Sequence, residues 1–223
     1  MSTDSEIIGR SLERPEAFSE IFERHVRPVG GYVRRRVGAD AVDDVLSETF
    51  LVAFRRRSSF DRRIESALPW LLGIATRVVK SHRAAEARQW RSFEASAGSA
   101  QHVEPVHAAS DDRLDADAAL RRLAPRIAAL HARDRDALLL YAWADLSYEQ
   151  IAEALGVPVG TVRSRLNRVR RTLAPPGSPS AGLRRMTDEE VRDSMPPAET
   201  LASATRLICK AKEENDAAYG TGA

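Results

Sequence analysis

The sequence predicts an all-α protein: two small helical domains joined by a flexible linker, the second a helix-turn-helix, followed by a C-terminal extension. Three observations predict this class. Apolar residues recur at helical spacing along most of the chain, and the alternating pattern of a half-buried strand is absent. Two stretches break the pattern: one between Ser92 and Ser110, rich in Ala, Ser, Gly and His with Pro105, and one at Pro175-Pro176-Gly177-Ser178-Pro179-Ser180. Between them, Leu146 to Leu173 carries the punctuation of two short helices around a tight turn. A chain of 223 residues holds two domains of this size. The breaks divide it into a first domain at 1–91, a linker at 92–111, a second domain at 112–174 and an extension at 175–223.

Helices are expected at about 5–12, 15–37, 41–57, 68–90, 112–132, 133–144, 147–155 and 158–173. In the third, Val42, Val45, Leu46, Thr49, Val52 and Ala53 fall on or near one face. In the fourth, Pro69 fits the first turn, where its missing N–H costs nothing, and Leu71, Ile74, Ala75 and Val78 supply the core. Ser147 and Gln150 form a capping box for the seventh, whose buried stripe is Ile151, Ala152 and Leu155. Gly156 suits the left-handed residue that ends that helix, and Pro158 suits the start of the next. There Val162, Leu166, Val169 and Leu173 recur at helical spacing. In the extension, Leu201, Ala204, Leu207, Ile208 and Ala211 predict an amphipathic helix over 199–212, docked on one of the domains because so short a helix needs tertiary support.

Charge divides the candidate functional residues into two kinds. The formal net charge is only +2, yet bases gather locally at Arg34-Arg35-Arg36, Arg55-Arg56-Arg57, Arg62-Arg63 and in the last helix of the second domain. That helix carries Arg163, Arg165, Arg168, Arg170 and Arg171 with no acid between Gly160 and Leu173, where a merely solvated face would mix signs. With the apolar stripe turned inward, Arg163, Ser164, Asn167, Arg168 and Arg171 face outward, the donor set a major groove reads. Acids gather elsewhere, at Asp40, Asp43, Asp44 and Glu48 and again at Asp111, Asp112, Asp115 and Asp117. Segregation of this kind points to nucleic acid and a protein surface as separate partners.

Asp44 and Glu48, spaced i and i+4, share the helix face opposite the apolar one. A metal or acid/base role lacks the further acid or His that a hard-cation site needs. Two readings remain: acids that stabilise a helix start, and a protein docking face. Further on, Phe60, Arg62, Arg63, Trp70, Arg77 and Lys80 set aromatic groups beside bases, as a surface stacking unpaired bases would. Burial of large apolar residues favours a core role for the two aromatics.

Other classes are excluded or set aside on composition. Cys209 is the only cysteine, which rules out an internal disulfide and fits a reducing cytoplasm. Residues 1–10 carry Asp4 and Glu6 and no apolar run, unlike a signal peptide, and no membrane-spanning segment is expected. His25, His82, His102, His107 and His131 lack ligand spacing, so neither metal nor cofactor is expected and no enzymatic role.

Four segments in order resemble the extracytoplasmic-function (ECF) group of bacterial RNA polymerase sigma factors, over about Ser5 to Leu173. Ile7 to Phe18 looks like the start of the family's first conserved domain, Asp43 to Phe50 like its core-polymerase docking helix, Leu68 to Ala75 like its promoter-melting helix, and Leu146 to Leu173 like its upstream-element reader. The resemblance implies a protein that binds core RNA polymerase through Asp43, Asp44 and Glu48. It implies that residues 59–67 capture a flipped base of the downstream promoter element and that Arg163, Ser164, Asn167 and Arg168 read the upstream element in duplex form. It implies an inhibitory anti-sigma factor as a further partner. The chain departs from the family pattern at Ser47, where glutamine is usual, and at Arg77, where asparagine is usual. A response-regulator-like transcription activator is the alternative, since it also ends in such a helix-turn-helix. That class needs an α/β receiver domain, and the first half of the chain shows only helical periodicity.

Overall fold

The structure, a computed structural model, describes residues 2–97, 123 and 125–173. Every regular element among them is helical. The predicted amphipathic helix over 199–212 lies outside the described residues.

Helix α1 spans Asp4–Glu13 and opens on a capping box, with the Glu6 N–H donating to Thr3 Oγ1 (3.2 Å) and the Thr3 N–H to Glu6 Oε2 (2.9 Å). The single helix expected over 15–37 is divided. A 3₁₀ turn at Pro15–Phe18 leads into α2, Ser19–Arg34, which ends three residues before the expected Val37. Helix α3 is Val42–Arg56 and α4 is Leu68–Ala97. The latter runs well past residue 90 into the stretch read as linker. Its first residues there include Phe93, Glu94 and Ala95, all able to propagate a helix.

The expected helix over 112–132 falls mostly outside the described residues; its visible part is a helical turn at 125–128. Helix α5, Ala132–Ala144, starts where His131 Nδ1 accepts the Arg133 N–H (3.3 Å). Helix α6, Tyr148–Leu155, has the predicted Ser147–Gln150 capping box, and Gly156 closes it at φ 64°. Helix α7, Val159–Leu173, follows Pro158, whose carbonyl accepts from Thr161 and Val162.

Helices α1–α4 enclose Ile7, Ile8, Ile21, Val33, Leu71 and Leu72, while α5–α7 enclose Leu138, Leu140, Ile151, Val162 and Leu166, all fully or almost fully buried. Each such side chain contributes about 1.5–3 kcal/mol relative to exposure. On α3 the buried residues are Val42, Val45, Thr49, Phe50 and Ala53, which adds Phe50 to the predicted face and leaves Leu46 and Val52 half-buried.

A buried carboxylate ties the first unit together. Asp4 accepts from the Ala67 N–H (2.8 Å), meets His25 Nε2 (2.6 Å) and pairs with Arg24 (2.5 Å), joining α1, α2 and the entry to α4. Burial alone would raise its pKa, but the Ala67 N–H, His25 and Arg24 outweigh that and hold it below the ordinary carboxylate range. The two units also pack on each other, α6 against α4 and α5 against α2.

Candidate nucleic-acid and polymerase surfaces

Helix α7 owes its position to its apolar side. Val162, Leu166, Val169 and Leu173 are buried against α5 and α6, so helical geometry sends Arg163, Ser164, Arg168 and Arg171 to the exposed side, with Asn167 half-buried beside them. The predicted face therefore assembles as one surface. Within it, the Ser164 hydroxyl donates to the Gly160 carbonyl (2.9 Å), and Arg170 donates to Asn167 Oδ1 (3.2 Å). Arg168 is held most firmly: its Nε and Nη2 donate to the two oxygens of Asp134 at 3.0 and 2.9 Å. This fork brings the start of α5 to α7, and the Arg168 hydrogen bonds hold the Asp134 carboxyl below its usual range despite burial. Asp134 is a residue that sequence reasoning misses. In the sequence it reads as one more acid in Arg133-Asp134-Arg135-Asp136, and nothing local pairs it with a residue 34 positions away.

In the first unit the predicted bases divide by environment. Phe60 is buried and meets the half-buried Trp70 edge-to-face, with ring centroids 5.3 Å apart at 61°. Arg62 and Arg63 are exposed on the loop between α3 and α4. Arg63 is forked onto Asp61, through Nε to Oδ1 (2.9 Å) and Nη2 to Oδ2 (2.6 Å), which lowers the Asp61 pKa to about 2. Arg77 and Lys80 lie farther along α4 and turn toward the second unit. The Arg77 guanidinium donates to the Ala154 carbonyl (3.4 Å), and its partial burial lowers its pKa; Lys80 is ion-paired with Asp136.

Asp43, Asp44 and Glu48 are exposed on α3. Asp44 and Glu48 edge a groove of about 870 Å³ between α3 and α4, with Val45, Leu51, Val52, Ile74 and Val78 among its apolar lining. Leu51 is 41% exposed there, a large apolar side chain left uncovered. Arg56, Arg77 and His82 line the same groove, so its rim carries both signs of charge above an apolar floor. Among the described residues no three His, Cys, Asp or Glu side chains are grouped to hold a metal, and no helix is long and apolar enough to cross a membrane.

Residues 21–89 match the family described as Sigma-70 region 2, and residues 117–173 the one described as Sigma-70, region 4. The ECF RNA polymerase sigma-E factor of Haemophilus influenzae is 31% identical over 182 residues, covering 77% of this chain and 93% of that protein. The chain belongs to the ECF sigma factors. The sigma-E factor of Escherichia coli K12 is 33% identical over 178 residues, covering 77% of this chain and 92% of its own. Among solved structures, CnrH in complex with the cytosolic domain of CnrY shares the fold at a TM-score of 0.52 and 22% identity, covering 76% of this chain and 94% of that one. Sigma factors are promoter-directing, non-enzymatic subunits, so the surfaces of this sigma factor are to be read as address and docking surfaces. The all-α architecture and the family expected from the sequence both hold, and the response-regulator alternative falls away.

Proposed function

We propose that residues 1–91 dock core RNA polymerase and engage the downstream promoter element, that 92–111 act as a tether, and that 112–174 read the upstream element. The observation that carries this reading is the α7 surface: guanidinium and hydroxyl groups exposed, with the Asn167 amide half-buried beside them, on one side of a helix whose other side is buried in a helix-turn-helix. Arg163 and Ser164 stand in the first two turns, where a recognition helix meets base edges. Arg168, with two N–H groups committed to Asp134, presents its remaining donors in a fixed direction, while Arg171 near the C-terminal end suits a phosphate.

On the first unit, the exposed Asp43, Asp44 and Glu48 serve as the polymerase docking acids. Arg62, Arg63, Arg77 and Lys80 line the path of the opened strand, and Phe60 supports Trp70 as the stacking group from within the core. Two DNA readers on one chain make the second contact intramolecular, so modest affinities combine. Chemistry stays with the polymerase. The reading places the protein in the cytoplasm, and it takes an anti-sigma factor as the inhibitory partner.

The test is transcription in vitro by core polymerase with this chain, with the 5′ ends of the transcripts sequenced. Initiation at a defined promoter class is expected. Charge reversal of Asp44 and Glu48 should abolish association with core polymerase while circular dichroism shows the helices intact. Loss of helix would make these acids structural and overturn their docking role.

A further inference from the structure

Asp134 stands in the first turn of α5, just inside the His131 cap. An acid at that place ordinarily serves the helix itself, by facing the partial positive charge of its N-terminus. Here both carboxylate oxygens are directed to another helix: Oδ2 accepts from Arg168 Nε at 3.0 Å and Oδ1 from Arg168 Nη2 at 2.9 Å. The Asp134 side chain is only 9% exposed, whereas that of Arg168 is 52% exposed. One end of the pair is therefore fixed inside the unit, and the other reaches the solvent side of α7. The Arg168 hydrogen bonds outweigh burial and keep the Asp134 carboxyl ionised, below its usual range.

The fork also decides which donors are left. Of the N–H groups of a guanidinium, Asp134 takes that of Nε and one of Nη2, which leaves both of Nη1 and the second of Nη2. Nη1 and Nη2 make the outer edge of the guanidinium, two parallel N–H groups spaced for two acceptors on one plane. Among base edges in the major groove, guanine offers that pair in O6 and N7.

We propose that Asp134 sets the base specificity of Arg168: it presents the outer edge of the guanidinium to a guanine of the upstream element and withholds the cation from DNA that lacks one. Two physical effects combine. An anchored side chain is already ordered when DNA arrives, so the contact loses less to immobilisation. A guanidinium paired with a carboxylate is also largely neutralised, so a phosphate or a mismatched base gains little from it. Specificity is the difference between these outcomes, and removing the acid shrinks it from both sides. Asp134 acts through Arg168 and is a positioning residue. Its role rests on the upstream-element reading of α7 proposed above.

The test sets full-length wild type beside Asp134→Asn, Asp134→Ser, Arg168→Ala and the double variant Asp134→Asn with Arg168→Ala. Each is equilibrated with duplex DNA carrying a randomised segment, and the bound fraction is sequenced. Affinity and its salt dependence are measured on an alternating A·T duplex, which offers no guanine. Arg168→Ala should erase a guanine preference at one position of the segment, a loss of about 5- to 150-fold. Both Asp134 variants should lower the preference at that same position by about fivefold or more. They should also bind the A·T duplex more tightly, with a slope of log affinity against log salt steeper by somewhat under one. A purely structural acid would instead weaken binding to both probes together. In the Arg168→Ala background, Asp134→Asn should change base preference no further.

Unchanged guanine preference in both Asp134 variants would refute the positioning role, as would a further loss in the double variant. Loss of helix in both by circular dichroism would make the acid structural and overturn the proposal as well. Weaker binding of the A·T duplex would refute the withholding of charge. Failure of the upstream reading looks different, because Arg168→Ala would then leave base preference untouched whatever Asp134 does.

Discussion

The two basic surfaces of this sigma factor are built from the same residue types and differ in what they face. On α7, Arg163, Ser164 and Arg171 are exposed, and the acid that engages the face, Asp134, comes from within the same unit. On α4, Arg77 and Lys80 meet the other unit, and their partners are the Ala154 carbonyl and Asp136. An intra-unit acid such as Asp134 holds the Arg168 guanidinium in one direction, an arrangement that does not depend on how the units meet. An inter-unit acid such as Asp136 is lost when they part. Similar ion pairs therefore brace one unit from within in one place and join the two units in the other.

The largest effect should come from testing whether the two units are independent. Leu166 is fully buried under α7, and Leu166→Ala opens a gap in a packed core, a change that usually costs about 2–5 kcal/mol. The expected outcome is loss of the second unit's packing with α1–α4 still folded, seen as a lower first transition in a thermal scan and reduced protection of α5–α7 in hydrogen exchange. A single cooperative transition shifted for the whole chain would show that the inter-unit contact binds the two into one folding unit.

Next in size are the buried carboxylates. Asp4→Ala leaves His25 and the Ala67 N–H without their acceptor, at about 1–3 kcal/mol for buried polar groups so stranded. The pH dependence has a definite sign. Asp4 and Asp134 both have folded pKa values below the ordinary carboxylate value of about 3.9, so their stabilisation is complete above that pH and is lost as pH falls through the folded values. In Asp4→Asn the acid limb of the first unit should flatten, and in Asp134→Asn that of the second, with tryptophan fluorescence and circular dichroism followed through the acid range from about pH 5 downward. Identical acid limbs in wild type and Asp4→Asn would remove Asp4 as the linkage group.

What sequence reasoning reached and what it missed follow from the range of the interactions. The Ser147–Gln150 capping box, Gly156 at φ 64° and the stripe Val162, Leu166, Val169 and Leu173 are decided by residues within one or two helical turns, and they stand in the structure as expected. The exposed face of α7 follows from that stripe. By contrast, Arg36 and Asp136 are 100 positions apart, and Arg168 and Asp134 are 34 apart, so no periodicity announces either pair. Gly73 is equally silent: a glycine inside a helical pattern reads as a tolerated weakness, and only the approach of Ala154 gives it a purpose. The early end of α2 and the extension of α4 to Ala97 are boundary matters, where propensity is a weak guide.

Comparison of two α7 arginines gives the next effect. Arg163→Ala should cost about 1–3 kcal/mol of binding to duplex upstream element and relax its sequence preference. Arg171→Ala should instead weaken all sequences about equally and lower the salt slope by about one. Competition binding against scrambled duplex at several salt concentrations measures both. Equal loss of preference in the two variants would mean that α7 does not divide into base-reading and phosphate-contacting parts.

The smallest effect belongs to Asp61, and it separates the two kinds of acid most cleanly. Asp61 and Arg63 are both on the solvent side of the loop before α4, and the carboxylate accepts from the Arg63 backbone N–H as well as its guanidinium. Its pKa of about 2 keeps it ionised near neutral pH, so the fork onto Arg63 competes with any phosphate for that guanidinium. Solvent screens such a pair, and its removal should leave the melting temperature unchanged. Yet Asp61→Asn releases Arg63 toward DNA and removes a like charge from the strand's path, so the slope of log affinity against log salt for a single-stranded downstream element should steepen by somewhat under one. Asp61 is paired within its own loop, and its charge also reaches Glu153 of α6, whose pKa is raised by burial and further by Asp61. An unchanged salt slope would mean that Arg63 stays clear of the strand.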